Sequence, residues 1–372
     1  MIGKVPDGWK LKEFLKIFKD DTAKKKKIPT NDYLKVGNIP VIDQGQKAIS
    51  GYTNDIKALN EDQPIIIFGD HTRAIKYVDF NFAIGADGVK VLKNIDENSN
   101  TKYLYYTLLN SHIPNTGYNR HFKYLKRLEI PIPPLHQQEK IVKILDLTSS
   151  MIENQKELLK KYDLFLKSKF IEMFGDPISN PMGWKTNKIQ EVCFSGSGGT
   201  PSRQHPEYYN GNIPWIKSGE LNLGVITQTK EHISEKGLKN SSAKLVEPNS
   251  VLVAMYGATV GVSAITKIRA TTNQAVCFLN PKANNLKEEF LLAFFRFIKN
   301  ELVKQSVGGG QPNISQEIIK NTFIIMPPIE LQNQFASIVE KIESIKTKEN
   351  EKLKGLEELH GSLMQKAFQG KI

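Results

Sequence analysis

"IPIPPLHQQEKIVKIL" occupies residues 130–145, and "FIIMPPIELQNQFASIV" occupies residues 323–339. Each stretch runs from a short apolar segment through a Pro-Pro pair into a helical pattern. A proline pair cannot continue a strand but suits the start of a helix. Shifting the chain by 194 residues superimposes the two without a gap. Pro133-Pro134 fall on Pro327-Pro328, Gln138 on Gln332, Ile144 on Ile338, Leu159-Lys160 on Leu353-Lys354, and Phe174 on Phe368. A gapless match over more than forty residues marks a duplication, which has to be settled before other elements are assigned.

Both segments read as one long helix. In the first, Ile141, Leu145, Thr148, Ile152, Gln155, Leu159, Tyr162 and Leu166 alternate spacings of four and three, a heptad seam. The same register in the second places Phe335, Val339, Ile342, Lys346, Glu349, Leu353, Leu356, His360 and Leu363 on the seam. The ends are apolar and the centre is polar, with Gln155 matching Glu349. "MFGDP" (173–177) closes the first helix with a glycine and a following proline. A helix from about 135 to 174 spans roughly 60 Å.

The segments before the helices also begin alike, with Gly8-Trp9-Lys10 matching Gly183-Trp184-Lys185. This gives four parts: residues 1–132, 133–176, 177–326 and 327–372. The net charge of +12 divides unevenly between them, as +6, zero, +6 and zero. Cations concentrated on two globular parts and absent from the spacers suit phosphate binding. If the helices pack antiparallel, the second starts where the first ends and returns to the first domain. We therefore expect a mixed α/β (α+β) fold. Two globular domains are joined by two long antiparallel coiled-coil-like helices in a pseudo-twofold internal repeat.

The plan resembles the specificity subunit of type I restriction-modification enzymes. The resemblance covers essentially the whole chain. Its most specific pieces are "MFGDPISNPMGW" (173–184), "GGTPSRQHPEYYNGNIPWIKSGE" (198–220), "GQPNIS" (310–315) and the two Pro-Pro helices. It implies that each globular part is a target recognition domain reading one half of a split, asymmetric DNA sequence. The helices would space the domains and dock methyltransferase subunits, two by expectation, alongside restriction/translocase subunits. The first domain lacks "GGTPS" and carries "DQGQKAISGYTND" (43–55) where the second has "IPWIKSGELNLG", so the two should read different sequences.

Motifs for chemistry are missing. The Gly-Lys pairs at 3–4 and 370–371 precede neither Ser nor Thr, so there is no phosphate loop. Gly196, Gly198 and Gly199 lack the associated lysine and suggest a mobile or turn-forming loop. Asn180-Pro181-Met182 fails the amino-methyltransferase pattern, and the seven histidines have no metal-ligand spacing. We expect a non-catalytic DNA-recognition subunit with no metal or cofactor of its own. S-adenosylmethionine, ATP and magnesium would belong to partner subunits. Cys193 and Cys277, the only cysteines, suggest a reducing compartment. The N-terminus has no apolar signal core and no run reaches membrane-spanning length, which points to the cytoplasm and no membrane partner. The alternatives are a methylation-only complex built on the same scaffold and a stand-alone DNA-acting enzyme.

The candidate DNA contacts follow from residue chemistry. Lys25 and Lys26, in "KKKK" (24–27), grip phosphate or lie in a solvated loop. His71, Thr72 and Arg73 sit in a turn at a strand end, where Arg73 reaches guanine or phosphate or pairs with Asp70. Arg120, His121, Lys123 and Lys126 interleave with Tyr118 and Phe122, a pattern that tracks a nucleic-acid backbone. In the second domain Thr200, Ser202, Arg203 and Gln204 follow the glycines. Lys217 and Ser218 end a strand, and Asn273 and Gln274 suit adenine edges. Gly309 and Gln311 allow close approach to a backbone. Asn313 with Gln316 fits a capping box. Trp9, Trp184 and Trp215 fit core anchors, and residues 287–303 form a helix whose apolar stripe faces the core.

Overall fold

The computed structural model describes residues 5–117, 119–306 and 312–372. Two compact units are present. One comprises residues up to Lys156 together with Glu351–Ile372; the other is Glu157–Asn350. Both spacer helices are continuous, over Leu135–Phe174 and Ile329–Phe368. Each unit thus contains the start of one helix and the end of the other.

The two units use one plan. In the first, a four-stranded antiparallel sheet runs in the order Phe18–Asp20, Val89–Asn94, Ile65–Gly69, Ile75–Val78. A smaller sheet runs Lys27–Ile28, Ala83–Gly85, Ile39–Ile42, Gly51–Thr53, with Ile39–Ile42 and Ala83–Gly85 parallel. The second unit repeats the order of the larger sheet and the central parallel pair of the smaller one, whose edge strand Leu245–Val246 comes later in the chain and runs antiparallel where Lys27–Ile28 runs parallel. Its larger sheet is Cys193–Ser197, Val276–Pro281, Val251–Ala254, Ser263–Thr266, extended by Val225–Ile226. Its smaller sheet is Leu245–Val246, Ala270–Thr272, Ile213–Ile216, Glu231–Ile233. Strand Ile65–Gly69 is buried on both faces, as its unbroken apolar run requires.

The opening motif is a joint, built identically twice. Strand Lys10–Glu13 pairs with Glu129–Ile132, and Thr186–Lys188 pairs with Phe323–Ile325, so each domain closes on itself just before its Pro-Pro pair. Gln138 is fully buried four residues beyond Pro134. Its amide nitrogen donates to Pro133 O (2.8 Å) and Asn98 O (2.9 Å), and its amide oxygen accepts from Asn100 N (2.7 Å). Gln332 does the same with Pro327 O (2.8 Å), Asn285 O (3.1 Å) and Lys287 N (2.9 Å). Asn100 and Lys287 stand at the N-cap positions of the domain helices Thr101–Asn110 and Glu288–Phe297, and Asn100 also caps its helix with its side chain. One glutamine therefore ties the helix start to the spacer, satisfying groups that would otherwise be buried unpaired.

The far helix end packs onto the same joint. Tyr103 meets Phe368 at 5.8 Å, and its counterpart Phe290 meets Phe174 at 4.8 Å. Trp184 Nε1 donates to Phe174 O at 2.9 Å, while Trp9 is buried and donates to Gln137. The seam register holds along both helices. Ile141, Leu145, Leu166 and Val339 are buried, and Ile152, Gln155, Leu159, Tyr162, Ile342, Glu349, Leu353, Leu356 and Leu363 are half-buried. The apolar seam extends beyond Leu166 to Phe170 and Phe174, both fully buried.

Candidate nucleic-acid interface

In the second unit the small sheet gathers most of the candidates. Strands Ile213–Ile216 and Ala270–Thr272 run parallel, so the residues following them, Lys217-Ser218 and Asn273-Gln274, emerge side by side. Asn273 N donates to Ile216 O at 2.9 Å. The chain at Gly199 is drawn against them, its N–H donating to Thr272 O (2.9 Å) and its carbonyl accepting from the buried Trp215 indole (3.0 Å). This puts the Thr200 hydroxyl on the Gln274 amide oxygen. Arg203 lies over the Tyr209 ring at 4.0 Å and pairs with Glu231 at 2.6 Å. Lys217 pairs with the other oxygen of Glu231. Hydrogen bonds from Lys217 and then Arg203 hold the Glu231 carboxyl below its usual range. Ser202 and Gln204 are exposed on the adjoining turn, where Ser202 Oγ accepts from Gln204 N (3.3 Å). The result is a polar, cation-rich face with an aromatic floor.

Of the two readings of the glycine stretch, mobile or turn-forming, close packing disfavours the mobile one. Gly196, Gly198 and Gly199 are packed: a Cβ at Gly198 would stand 1.9 Å from Thr272 O, and one at Gly199 2.3 Å from Ser242 Oγ. Glycine is required there because two backbones touch. Gly309 and Gln311 lie outside the described residues. Asn313 is not a cap. Its side-chain oxygen accepts from Gly257 N (3.4 Å), and Ser315 caps Gln316–Asn321 instead.

The first unit distributes its candidates differently. Lys25 is tied to Asp62 (2.6 Å), Asn60 (2.5 Å) and Asp21 (3.4 Å), and Lys26 to Asp55. These ammonium groups hold the domain's own loops. His121, expected on the surface, is fully buried. Its N–H and Nδ1 both meet Asp70 O, at 2.8 and 2.9 Å, while the Asp70 carboxylate accepts from Phe122 N (2.7 Å). Asp70 thus docks the 120–126 segment rather than pairing with Arg73. Arg73 adopts a left-handed φ of 60° and donates to Ile113 O (3.1 Å). Arg120, Lys123 and Lys126 are exposed, the latter two beside Tyr124 and the buried Phe122. Tyr118 lies outside the described residues.

Topology exposes residues that sequence reasoning missed. By register, Asp43-Gln44 and Gly85-Ala86, at the ends of the parallel strands Ile39–Ile42 and Ala83–Gly85, are the counterparts of Lys217-Ser218 and Asn273-Gln274. Gln44 accepts from the His71 backbone (3.3 Å) and from the Thr72 hydroxyl, so that turn belongs to this face. Lys76 donates to Asp43 O (2.8 Å). The matching "IPVI" and "IPWI" strands were the available signal.

Among the described residues no three His, Cys, Asp or Glu side chains converge as metal ligands would, and no helix is long and apolar enough to cross a membrane. Cys193 and Cys277 are buried and unlinked, with burial pushing both thiols up to about 12.

Fold and site together define a duplicated α/β protein whose two copies each carry a polar face at the ends of parallel strands. The family model for the type I restriction modification DNA specificity domain matches residues 6–161 and 181–358, and the chain belongs to that family. It is 28% identical over 341 residues to the specificity subunit of a type I restriction enzyme of Escherichia coli, covering 86% of this chain and 82% of that one. It is 26% identical over 267 residues to a type I specificity subunit of Methanocaldococcus jannaschii, covering 67% and 61%. The fold is shared with the crystal structure of the S subunit from M. genitalium, at a TM-score of 0.58 and 17% identity over 98% of this chain and 97% of that one.

Proposed function

We propose that this chain is the DNA-recognition subunit of a type I restriction-modification complex, with residues 1–132 and 177–326 each reading one half of a split, asymmetric target. The observation that carries this reading is the contrast between the two halves. The glutamine bonds of the joint repeat in both halves, whereas the strand ends do not: Asp43-Gln44 and Gly85-Ala86 stand where the second half has Lys217-Ser218 and Asn273-Gln274. Identical scaffolds with different polar tips suit two different base sequences.

The spacer helices, 133–176 and 327–372, dock two methyltransferase subunits. Leu147, Met151, Leu164 and Phe165 support this, being 44–63% exposed on the outer faces of the first helix. Turnover belongs to those partners and to restriction/translocase subunits, with S-adenosylmethionine, ATP and magnesium. Recognition alone remains here, in the cytoplasm. The test is exchange of residues 43–47 and 86–88 for those of a relative, followed by mapping of methylated adenines. We expect the first half-site to change and the second to persist. Methylation that ignores the exchange, or turnover by the purified chain alone, would sink the reading.

A further inference from the structure

The ends of the parallel strands are furnished differently in the two units. In the second, Asn273 and Gln274 follow Ala270–Thr272 and extend the polar face. Their register counterparts in the first, Gly85 and Ala86, carry no polar side chain. The Tyr33 hydroxyl stands there instead. It accepts from Ala86 N (3.2 Å), and a Cβ on Gly85 would meet it at 2.1 Å. The other strand end supplies Asp43 and Gln44, and Asp43 is engaged by its own loop. Its carboxylate accepts from Gly45 N (2.8 Å) and Ser50 Oγ (2.5 Å), with the Lys76 ammonium 3.7 Å away. Gln44 is the side chain left to face outward.

Gln44 is held by both backbone and side chain. Its carbonyl accepts from the Thr72 hydroxyl, and the carbonyl before it, of Asp43, accepts from Lys76 (2.8 Å). The side-chain amide packs on Gly88, where φ is +85° and a Cβ would stand 2.5 Å from Oε1 and 2.8 Å from Nε2. The His71 backbone N–H donates to Oε1 at 3.3 Å. A backbone N–H can only donate, so it selects the amide oxygen and turns the NH2 away from itself. Among the described residues Nε2 has no acceptor, yet it is not sealed from solvent. The same turn holds cations suited to phosphate. Asp70 docks the 120–126 segment through His121 and Phe122, leaving Arg120 and Lys123 exposed.

We infer that Gln44 is a specificity-determining residue of the first half-site and reads a hydrogen-bond acceptor on a base edge through its amide nitrogen. The inference rests on the reading of residues 1–132 as a DNA-recognition domain. A glutamine free at both ends of its amide suits adenine, donating to N7 while accepting from the N6 amino group. Here His71 engages the oxygen and Gly88 walls it, so the donor alone is offered. In the major groove a lone donor selects guanine, which presents N7 and O6 side by side, or thymine O4. It disfavours the amino groups of cytosine and adenine. Because the amide is already clamped, little side-chain freedom is lost on binding.

The test is selection from duplexes randomised over the first half-site, with the second held fixed, by the full chain assembled with its methyltransferase subunits. Gln44→Glu keeps the size and the acceptor for His71 N but replaces the outward donor with an acceptor. At one position of the first half-site, guanine or thymine should give way to cytosine or adenine. The change in relative binding should be about tenfold, within the range of a direct base contact. Gln44→Met has no polar atom there and carries no added charge. It should flatten the preference at that same position and leave the others as they are. Retained recognition of the fixed second half-site, read by the other domain, shows that each variant is folded and assembled. An unchanged first half-site in both variants, or an even loss across all its positions, would overturn the inference and leave Gln44 as a brace for the 70–73 turn. An unaltered assembly that selects no sequence would take down the DNA-recognition reading itself.

Discussion

Glu231 holds two candidate DNA ligands with one carboxylate. It accepts from Lys217 and Arg203 together, and those bonds keep its pKa depressed, so the triad persists at every pH above the ordinary carboxylate range. Such a carboxylate opposes phosphate binding while it orients the arginine over Tyr209. Glu231→Gln should therefore raise affinity for arbitrary DNA and reduce discrimination at the second half-site, as fluorescence anisotropy on matched and altered duplexes would show. Arg203→Ala should weaken binding without touching preference at the first half-site. Where the contact is to guanine, the loss of discrimination should be about 1–3 kcal/mol. An effect that spreads to both half-sites would place Arg203 among general phosphate contacts or in the domain's own packing.

At the scale of elements, the glutamine joint and the helix pair carry the stability. Removing a buried hydrogen-bonding side chain leaves its partners unsatisfied, at about 1–3 kcal/mol. Gln138→Ala and Gln332→Ala should each cost that much in urea denaturation, and each should loosen only its own unit. The helix pair of the first unit adds a pH response. His360 lies with Nδ1 2.7 Å from Thr148 Oγ1, and burial lowers its pKa below the ordinary value of 6.5. The folded state thus favours neutral imidazole, and the unfolded chain binds the extra proton first. Stability is full above about 6.5 and declines as pH falls from there through the folded value. Thermal unfolding between pH 7 and 5 should show this decline, and His360→Gln should flatten it.

On the whole molecule, the two +6 domains should bind with a steep salt response, log K falling by about 0.9 per phosphate neutralised for each unit of log salt. A flat response would remove the electrostatic argument. The helices lend themselves to a second test. Each is 40 residues long and continuous. Inserting four residues after Gln155 in the first, with four after Glu349 to preserve the antiparallel seam, lengthens each by about 6 Å. If the helices separate the reading domains, as we propose, the preferred gap between half-sites lengthens by close to two base pairs while the bases read stay the same. Changed bases with an unchanged gap would show that the helices are not a ruler.

The duplication, the two helices and their seam register were legible because burial with a 3.5-residue period is a local pattern, and because Pro-Pro and Gln recur at one shift. The strand end at Lys217 was legible for a similar reason, since a short apolar run stops there, whereas Asn273 stood out only by its side-chain chemistry. Tertiary structure alone decided the rest. Arg203 and Glu231 are 28 residues apart, and only the pairing of Trp215 with Glu231 brings them together. His121 looked like a surface cation, yet Asp70, 51 residues away, supplies the carbonyl that buries it. Lys25 resembles a phosphate contact until Asn60 and Asp62 fold onto it. Period and composition record which faces are buried, but the partner of a charge is set by sheet register and by the volume of side chains across a gap.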